Sequence, residues 1–196
     1  MTVVAAFLVP GSPLPQVRRD NPPWGALADA MDAAGRALAE AAPDTIVVYS
    51  TQWIAVLDQL WQARPHLKDV HVDENWHEYG ELPFDITIDT ALAEAAISAT
   101  NAAGIKSKGV DYGKVPIDTG TIVASNFLNA DKKRPLVITS NNVYHDWTLT
   151  VTLGRIAAAA SPVPRSTATV LSTAPAAPRS TPWAPLRWTS GCRPAP

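Results

Sequence analysis

Three short uncharged runs stand out along the chain. Thr2–Val9 (TVVAAFLV) is closed by Pro10-Gly11, Thr45–Ser50 (TIVVYS) follows Pro43-Asp44, and Pro135–Ser140 (PLVITS) follows a charged stretch. Runs this short, apolar on both alternations, predict strands buried on both faces. Between the first two, Leu27, Met31, Ala34, Leu38 and Ala41 recur at three- and four-residue spacing. That spacing predicts a helix over 24–42 with one apolar face, and Asn21-Pro22-Pro23 suits its first turn. Strand, helix, strand implies a parallel pair.

Asp89–Ala103 reads as a second helix, with Asp89 as cap, Gly104 at the exit, and Leu92, Ala96 and Ala99 on its inner side. Ile105–Ser107 is expected to be a short strand, and Pro116–Leu128 a loop running into a helix. A last helix is expected to start near Asp146–Thr148. The alternation predicts an α/β fold: a three-layer, mainly parallel sheet with helices on both faces. Ligands in such folds gather beyond the carboxyl ends of the strands. Here those ends carry Pro10-Gly11-Ser12-Pro13, Ser50-Thr51-Gln52-Trp53 and Ser140-Asn141-Asn142. None of the three contains Asp, Glu, His, Cys or Lys, a poor set for catalysis.

Composition divides the chain. Eight of the eighteen prolines fall between Ser161 and Pro196, the last acidic residue is Asp146, and beyond Gly154 the only charges are Arg155, Arg165, Arg179, Arg187 and Arg193. Eleven basic and eighteen acidic residues precede that point. A Pro/Ala/Arg-rich segment without periodicity predicts a disordered tail over 155–196, with the folded part confined to 1–154. The tail reads either as a flexible linker or as the translation of a GC-rich gene out of frame, which yields such mixtures with stray Trp183 and Trp188. In the second reading the chain is a frameshifted relic without activity of its own.

Charge and cysteine usage remove several function classes. Sixteen Lys and Arg against eighteen Asp and Glu leave a net charge of −2, so no basic field for nucleic acid exists. The longest apolar run, Val3–Pro10, is far short of the roughly 20 residues of a membrane helix. Cys192 is the only cysteine, which excludes an internal disulfide framework or a multi-cysteine zinc site. The start lacks the pattern of a signal peptide, and a cytoplasmic protein is expected.

The residues most like a metal cluster are His71, Asp73, Glu74 and His77. Their spacing departs from both templates, since zincin-type histidines stand four apart and a calcium loop needs alternating Asp/Asn with a central Gly. A solvated acidic loop with a packed Trp76 is the simpler account. A stand-alone metalloenzyme built on them is the alternative function. His145 beside Asp146 could be an oriented base or merely sit at a capped helix start. Asp118-Thr119-Gly120-Thr121 resembles a loop-to-helix start. Neither G-x-S-x-G nor G-x-x-x-x-G-K occurs.

Five segments taken in order, VVAAFLVPGSPLP (3–15), VVYSTQW (47–53), VHVDENWHEYG (70–80), PIDTGT (116–121) and SNNVYH (140–145), resemble the class III extradiol ring-cleavage dioxygenases, in particular the α subunits of those that open aminophenols. The resemblance covers roughly residues 1–154. It implies an Fe(II) site of two histidines and a glutamate in catalytic members, the first histidine after the first strand and the second just before a Trp. At the matching positions this chain has Gly11 and Gln52. Glycine offers no ligand, and a neutral amide is a poor one for iron. The resemblance therefore implies no metal and no catalytic residue in this chain. It implies a heterotetramer of two α and two β subunits, with Fe(II) in the catalytic β subunit. That subunit would open 2-aminophenol with O₂ to 2-aminomuconic semialdehyde. The remnant pocket would comprise Ser12, Trp53, Asp118, Asn141, Asn142, Tyr144 and His145. Trp24, Trp53, Trp61 and Trp76 read either as partner-facing anchors, since interface centres favour Trp, or equally as core residues.

Overall fold

A computed structural model describes residues 2–73, 77, 80–112, 117–160 and 166–173. Its elements run β1 (Thr2–Pro10), α1 (Leu14–Val17), α2 (Pro22–Ala41), β2 (Thr45–Ala55), β3 (Gln59–Gln62), β4 (His66–His71), β5 (Leu82–Thr87), α3 (Thr90–Ala102), β6 (Ser107–Val110), α4 (Thr119–Leu128), β7 (Leu136–Asn142), α5 (Trp147–Ala159) and β8 (Ser166–Thr173). Three of the helices, α3, α4 and α5, start at a side-chain cap. Asp89, Asp118 and Asp146 each accept a hydrogen bond from the backbone N–H three residues on, at Leu92, Thr121 and Leu149, satisfying donors that a helix start leaves without partners.

Six strands form the main sheet in the order β1-β8-β2-β7-β3-β6, and β4 and β5 form a separate antiparallel hairpin. β1, β8, β2 and β7 run parallel, while β3 lies antiparallel to β7 with β6 parallel to it. One face packs on α2 and α4 through Val9, Ile46, Val48, Ile138, Ala168 and Val170 against Met31, Leu38, Val123 and Phe127. The other face packs on α3 and α5 through Trp61 and Val137 against Leu92, Ala96, Leu153 and Ala157. The expected three-layer, mainly parallel α/β fold is present.

Four expectations need correction. The break at 154 falls inside α5, and residues 166–173, assigned to a disordered tail, form a strand between β1 and β2. Small hydroxyl residues misled the reading: Ser166–Thr173 (STATVLST) looks polar, yet Ala168 and Val170 point into the core while Thr167 and Ser172 are fully buried. β1 and β2 are parallel but not adjacent, because β8 separates them. The short strand after Gly104 starts at Ser107, not Ile105. Finally, Trp53 and Trp61 are core residues and not partner-facing anchors. Trp76 and residues 161–165 and 174–196 lie outside the described residues.

β3 escaped the sequence reading for the same reason as β8. Its ends, Gln59 and Gln62, are buried amides, and Gln59 Nε2 donates to Thr139 Oγ1 of β7 at 2.7 Å. Because β8 is an interior strand, paired on both sides, and Val170 is buried in the core, a charge there must disrupt the fold. Val170→Asp is expected to lower stability by about 3 kcal/mol or more, read as loss of the cooperative thermal transition in circular dichroism. A disordered 155–196 segment would leave that transition unchanged.

Candidate functional site

At the carboxyl end of the sheet, β2 departs from its partner. From Tyr49 to Ile54 it advances five residues while β7 advances only from Thr139 to Asn141. The extra residues, Ser50–Trp53, form a bulge, a device that re-aims side chains. Ser50 Oγ braces it, accepting from Gln52 N at 3.2 Å and Trp53 N at 3.3 Å. Thr51 Oγ1 donates to Ser172 O of β8 at 2.8 Å. The bulge turns Gln52 toward the loop after β1 and the start of α4.

There the Gln52 amide uses both of its ends. Nε2 donates to Gly11 O at 3.1 Å, and Oε1 accepts from Gly120 N at 2.8 Å. One side chain thus ties the end of β1, the bulge of β2 and the first turn of α4. The three segments meet so closely that neither glycine has room for a side chain. A Cβ on Gly11 would stand 2.6 Å from Gln52 Nε2 and 2.9 Å from both Gly120 Cα and Ser172 Oγ. On Gly120 it would stand 2.5 Å from Ser172 Oγ. Glycine is required here by close approach, not by backbone angle.

This geometry does not fit a ferrous centre. Gly11 has no space for a side chain, and the Gln52 amide has both ends engaged. Ser12 Oγ, buried beside them, accepts from Leu14 N at 3.3 Å. Ser172 Oγ is buried with no hydrogen-bond partner among the described residues. No imidazole or carboxylate takes part in the Gly11–Gln52–Gly120 contact. Among the described residues no group of three His, Cys, Asp or Glu is arranged to hold a metal ion.

The other candidate residues fall into two groups. Asp118 caps α4, accepting from Thr121 N at 2.8 Å and Thr121 Oγ1 at 2.7 Å. Next to it, Thr119 Oγ1 donates to Asp73 Oδ2 and accepts from His71 Nε2 at 3.1 Å. His71 and Asp73 thus reach the same helix start from the β4 side, a long-range meeting that spacing could not reveal. Glu74 lies outside the described residues. The second group sits past β7: Asn141 Oδ1 accepts from Tyr49 OH at 2.7 Å, and Asn142 Oδ1 accepts from Tyr144 N at 3.0 Å. Burial holds the Tyr49 hydroxyl above its ordinary pKa. His145 N donates to Asn142 O, and the Tyr144 ring is 75% exposed. Trp53 is buried in the core behind the bulge.

A separate groove of about 680 Å³ lies between the β4–β5 hairpin and α4, lined by Arg19, Lys68, Asp85, Asn126, Phe127 and Lys132 among others. Several of its charges are already matched, Arg19 by Asp29 and Asp32 among them. Asp85 meets His66 Nε2 at 2.7 Å and Lys68 Nζ at 3.0 Å, which hold its carboxyl down to about 2.

Three outcomes follow. Gln52→Ala orphans Gly11 O and Gly120 N–H and is expected to cost about 1–3 kcal/mol, measured by denaturant unfolding. Gly11→Ala should destabilise by a similar amount through overpacking. At Asp85 the depressed carboxyl contributes stability above the unfolded value near 4. That contribution is lost as pH falls through about 2. The stability difference between the parent chain and Asp85→Asn should therefore be present near pH 5 and vanish in strong acid, as read by melting temperature against pH.

The family described as the catalytic LigB subunit of aromatic ring-opening dioxygenase matches residues 10–171, so the change of composition at 154 lies inside the family domain. A 2-aminophenol 1,6-dioxygenase alpha subunit from Pseudomonas sp is 51% identical over 160 residues, covering 81% of this chain and 59% of its own length. A 2-aminophenol 1,6-dioxygenase beta subunit, also from Pseudomonas sp, is 26% identical over 150 residues, covering 71% of this chain and 49% of its own. The chain thus spans about half to three-fifths of these relatives. Among solved structures, the uncharacterized protein JW3007 from Escherichia coli K12 superposes with a TM-score of 0.51 at 18% identity, over 72% of this chain and 51% of that one. That match supports the fold alone. Sheet order, site position and the match over 10–171 together place the chain in the LigB family of aromatic ring-opening dioxygenases.

Proposed function

We propose that this chain acts as a non-catalytic subunit of an extradiol dioxygenase, supporting an iron-bearing β subunit of the same fold. The partner would open 2-aminophenol with O₂, giving 2-aminomuconic semialdehyde, within a cytoplasmic assembly of two α and two β subunits. One observation carries the reading: the Gln52 amide, at a position the family resemblance would give to a metal ligand, is bonded on both sides to Gly11 and Gly120. A ring-opening centre needs open coordination positions on a divalent iron, and the close approach of three backbone segments leaves neither ligand nor volume. Similarity to both an alpha and a beta subunit supports pairing between two copies of one architecture. No helix among the described residues is long and apolar enough to cross a membrane.

The surface that would meet the partner is apolar. Leu57 is 89% exposed, Trp147 81%, and Ile54, Val56 and Val143 about half. These residues are drawn together because Ile54 and Ala55 pair with Asn141 and Asn142, and Val143 N donates to Ala55 O. Trp147 and Tyr144 take the anchoring role in place of the buried Trp53 and Trp61. Large aromatics in such positions dominate binding energy.

Co-production with the beta-subunit relative, followed by size-exclusion chromatography, should give one co-eluting species. Trp147→Ala should weaken it by about 2 kcal/mol, roughly thirtyfold. Anaerobic loading of the isolated chain with Fe(II) should leave a metal content near zero and no ring opening. A stoichiometric ferrous site on this chain would refute the reading.

A further inference from the structure

The sheet is covered unevenly. On the α2–α4 side every strand from β1 to β7 contributes to the core, including Ala5, Phe7 and Val9 of β1. Among the described residues, the α3–α5 side reaches only as far as Val47 and Tyr49 of β2. Beyond them, register puts Val3 beside Thr167, Ala6 beside Thr169, and Leu8 beside Leu171. Val3 is 47% exposed and Leu8 53%. β1 ends the sheet, and its nine residues carry no charge, proline excepted at its last position. Long apolar edge strands without charges are normally covered.

Topology says what kind of segment covers them. β1 connects to β2 through α2 on one face, moving inward across the sheet. β7 connects to β8 through α5 on the opposite face, moving outward toward β1. Opposite directions on opposite faces share one hand, the right-handed crossover that parallel strands obey. A further connection moving outward from β8, past β1, must therefore cross on the α5 face. It would lay its helix over Leu8, Ala6 and Leu171 and set its strand beside β1. The alpha-subunit relative has the length for this, since this chain accounts for 59% of it.

We propose that the β1 edge, with the face formed by Val3, Ala6, Leu8, Thr169 and Leu171, is the docking surface for a helix-then-strand segment held in the part of the alpha-subunit relative that this chain does not match. The helix presents an apolar stripe to Leu8 and Leu171, and the strand runs parallel to β1. The inference rests on strand order and family membership, and is independent of whether the chain binds iron.

The test supplies that unmatched part in two ways: co-produced in trans with the full 196-residue chain, and fused after Thr173 in place of residues 174–196. In both, hydrogen exchange of the Val3–Leu8 amides should slow at least tenfold relative to the chain alone. Leu8→Asp should cut capture in trans at least tenfold, while Lys133→Ala on the far surface leaves it unchanged. Unaltered exchange of Val3–Leu8 in the fused protein would overturn the proposal, as would capture indifferent to Leu8→Asp. So would a dimer of the chain alone in which those amides are already protected, because a second copy would then be the occupant.

Discussion

β1 joins the rest of the sheet only through β8, and this one insertion governs the architecture. It places Ala168 and Val170 between the two halves of the α2–α4 core and brings Ser172 to the end of the sheet, within reach of Gly11 and Gly120. Its side chains are small because the site demands it. Larger groups at 172 would meet the same two glycines that admit no Cβ. The poverty of large apolar residues in Ser166–Thr173 is thus a packing requirement of a central strand squeezed between β1, β2 and the start of α4.

The Gln52 amide is the second constraint, and it depends on the first. With β8 in place, the end of β1 and the first turn of α4 approach until backbone meets backbone, and an amide is well suited to the gap: one donor for a carbonyl, one acceptor for an N–H. A hydroxyl would be too short to bridge them, and a carboxylate would set an acceptor against Gly11 O. Position 52 is thereby a cross-link between three segments. Its function is mechanical, and the apolar surface around Trp147 and Leu57 lies on the same end of the sheet, where β2 and β7 finish.

Much of this was legible in the sequence. The runs at 2–9, 45–50 and 135–140 became β1, β2 and β7, and Asp89, Asp118 and Asp146 cap the helices that follow them. Gly11 and Gln52 could be singled out, because the segments carrying them resemble a ring-cleavage family. Strands whose buried positions are amides or hydroxyls could not be read. Gln59 and Gln62 in β3, and Thr167 and Ser172 in β8, carry no hydrophobic signal, and only their neighbours in space make them interior residues. The meeting of His71 and Asp73 with Thr119 was equally invisible, being set by a hairpin that folds back over α4.

The closeness of Gly11, Gln52 and Gly120 also has an evolutionary meaning. An imidazole at 11 collides with a neighbouring backbone, and one at 52 abandons two backbone groups to no partner. Each step taken singly toward a ligand pair is uphill, and only a coordinated shift of loop, bulge and helix would make both tolerable. The arrangement works as a ratchet: a lineage that has settled into it keeps its scaffold.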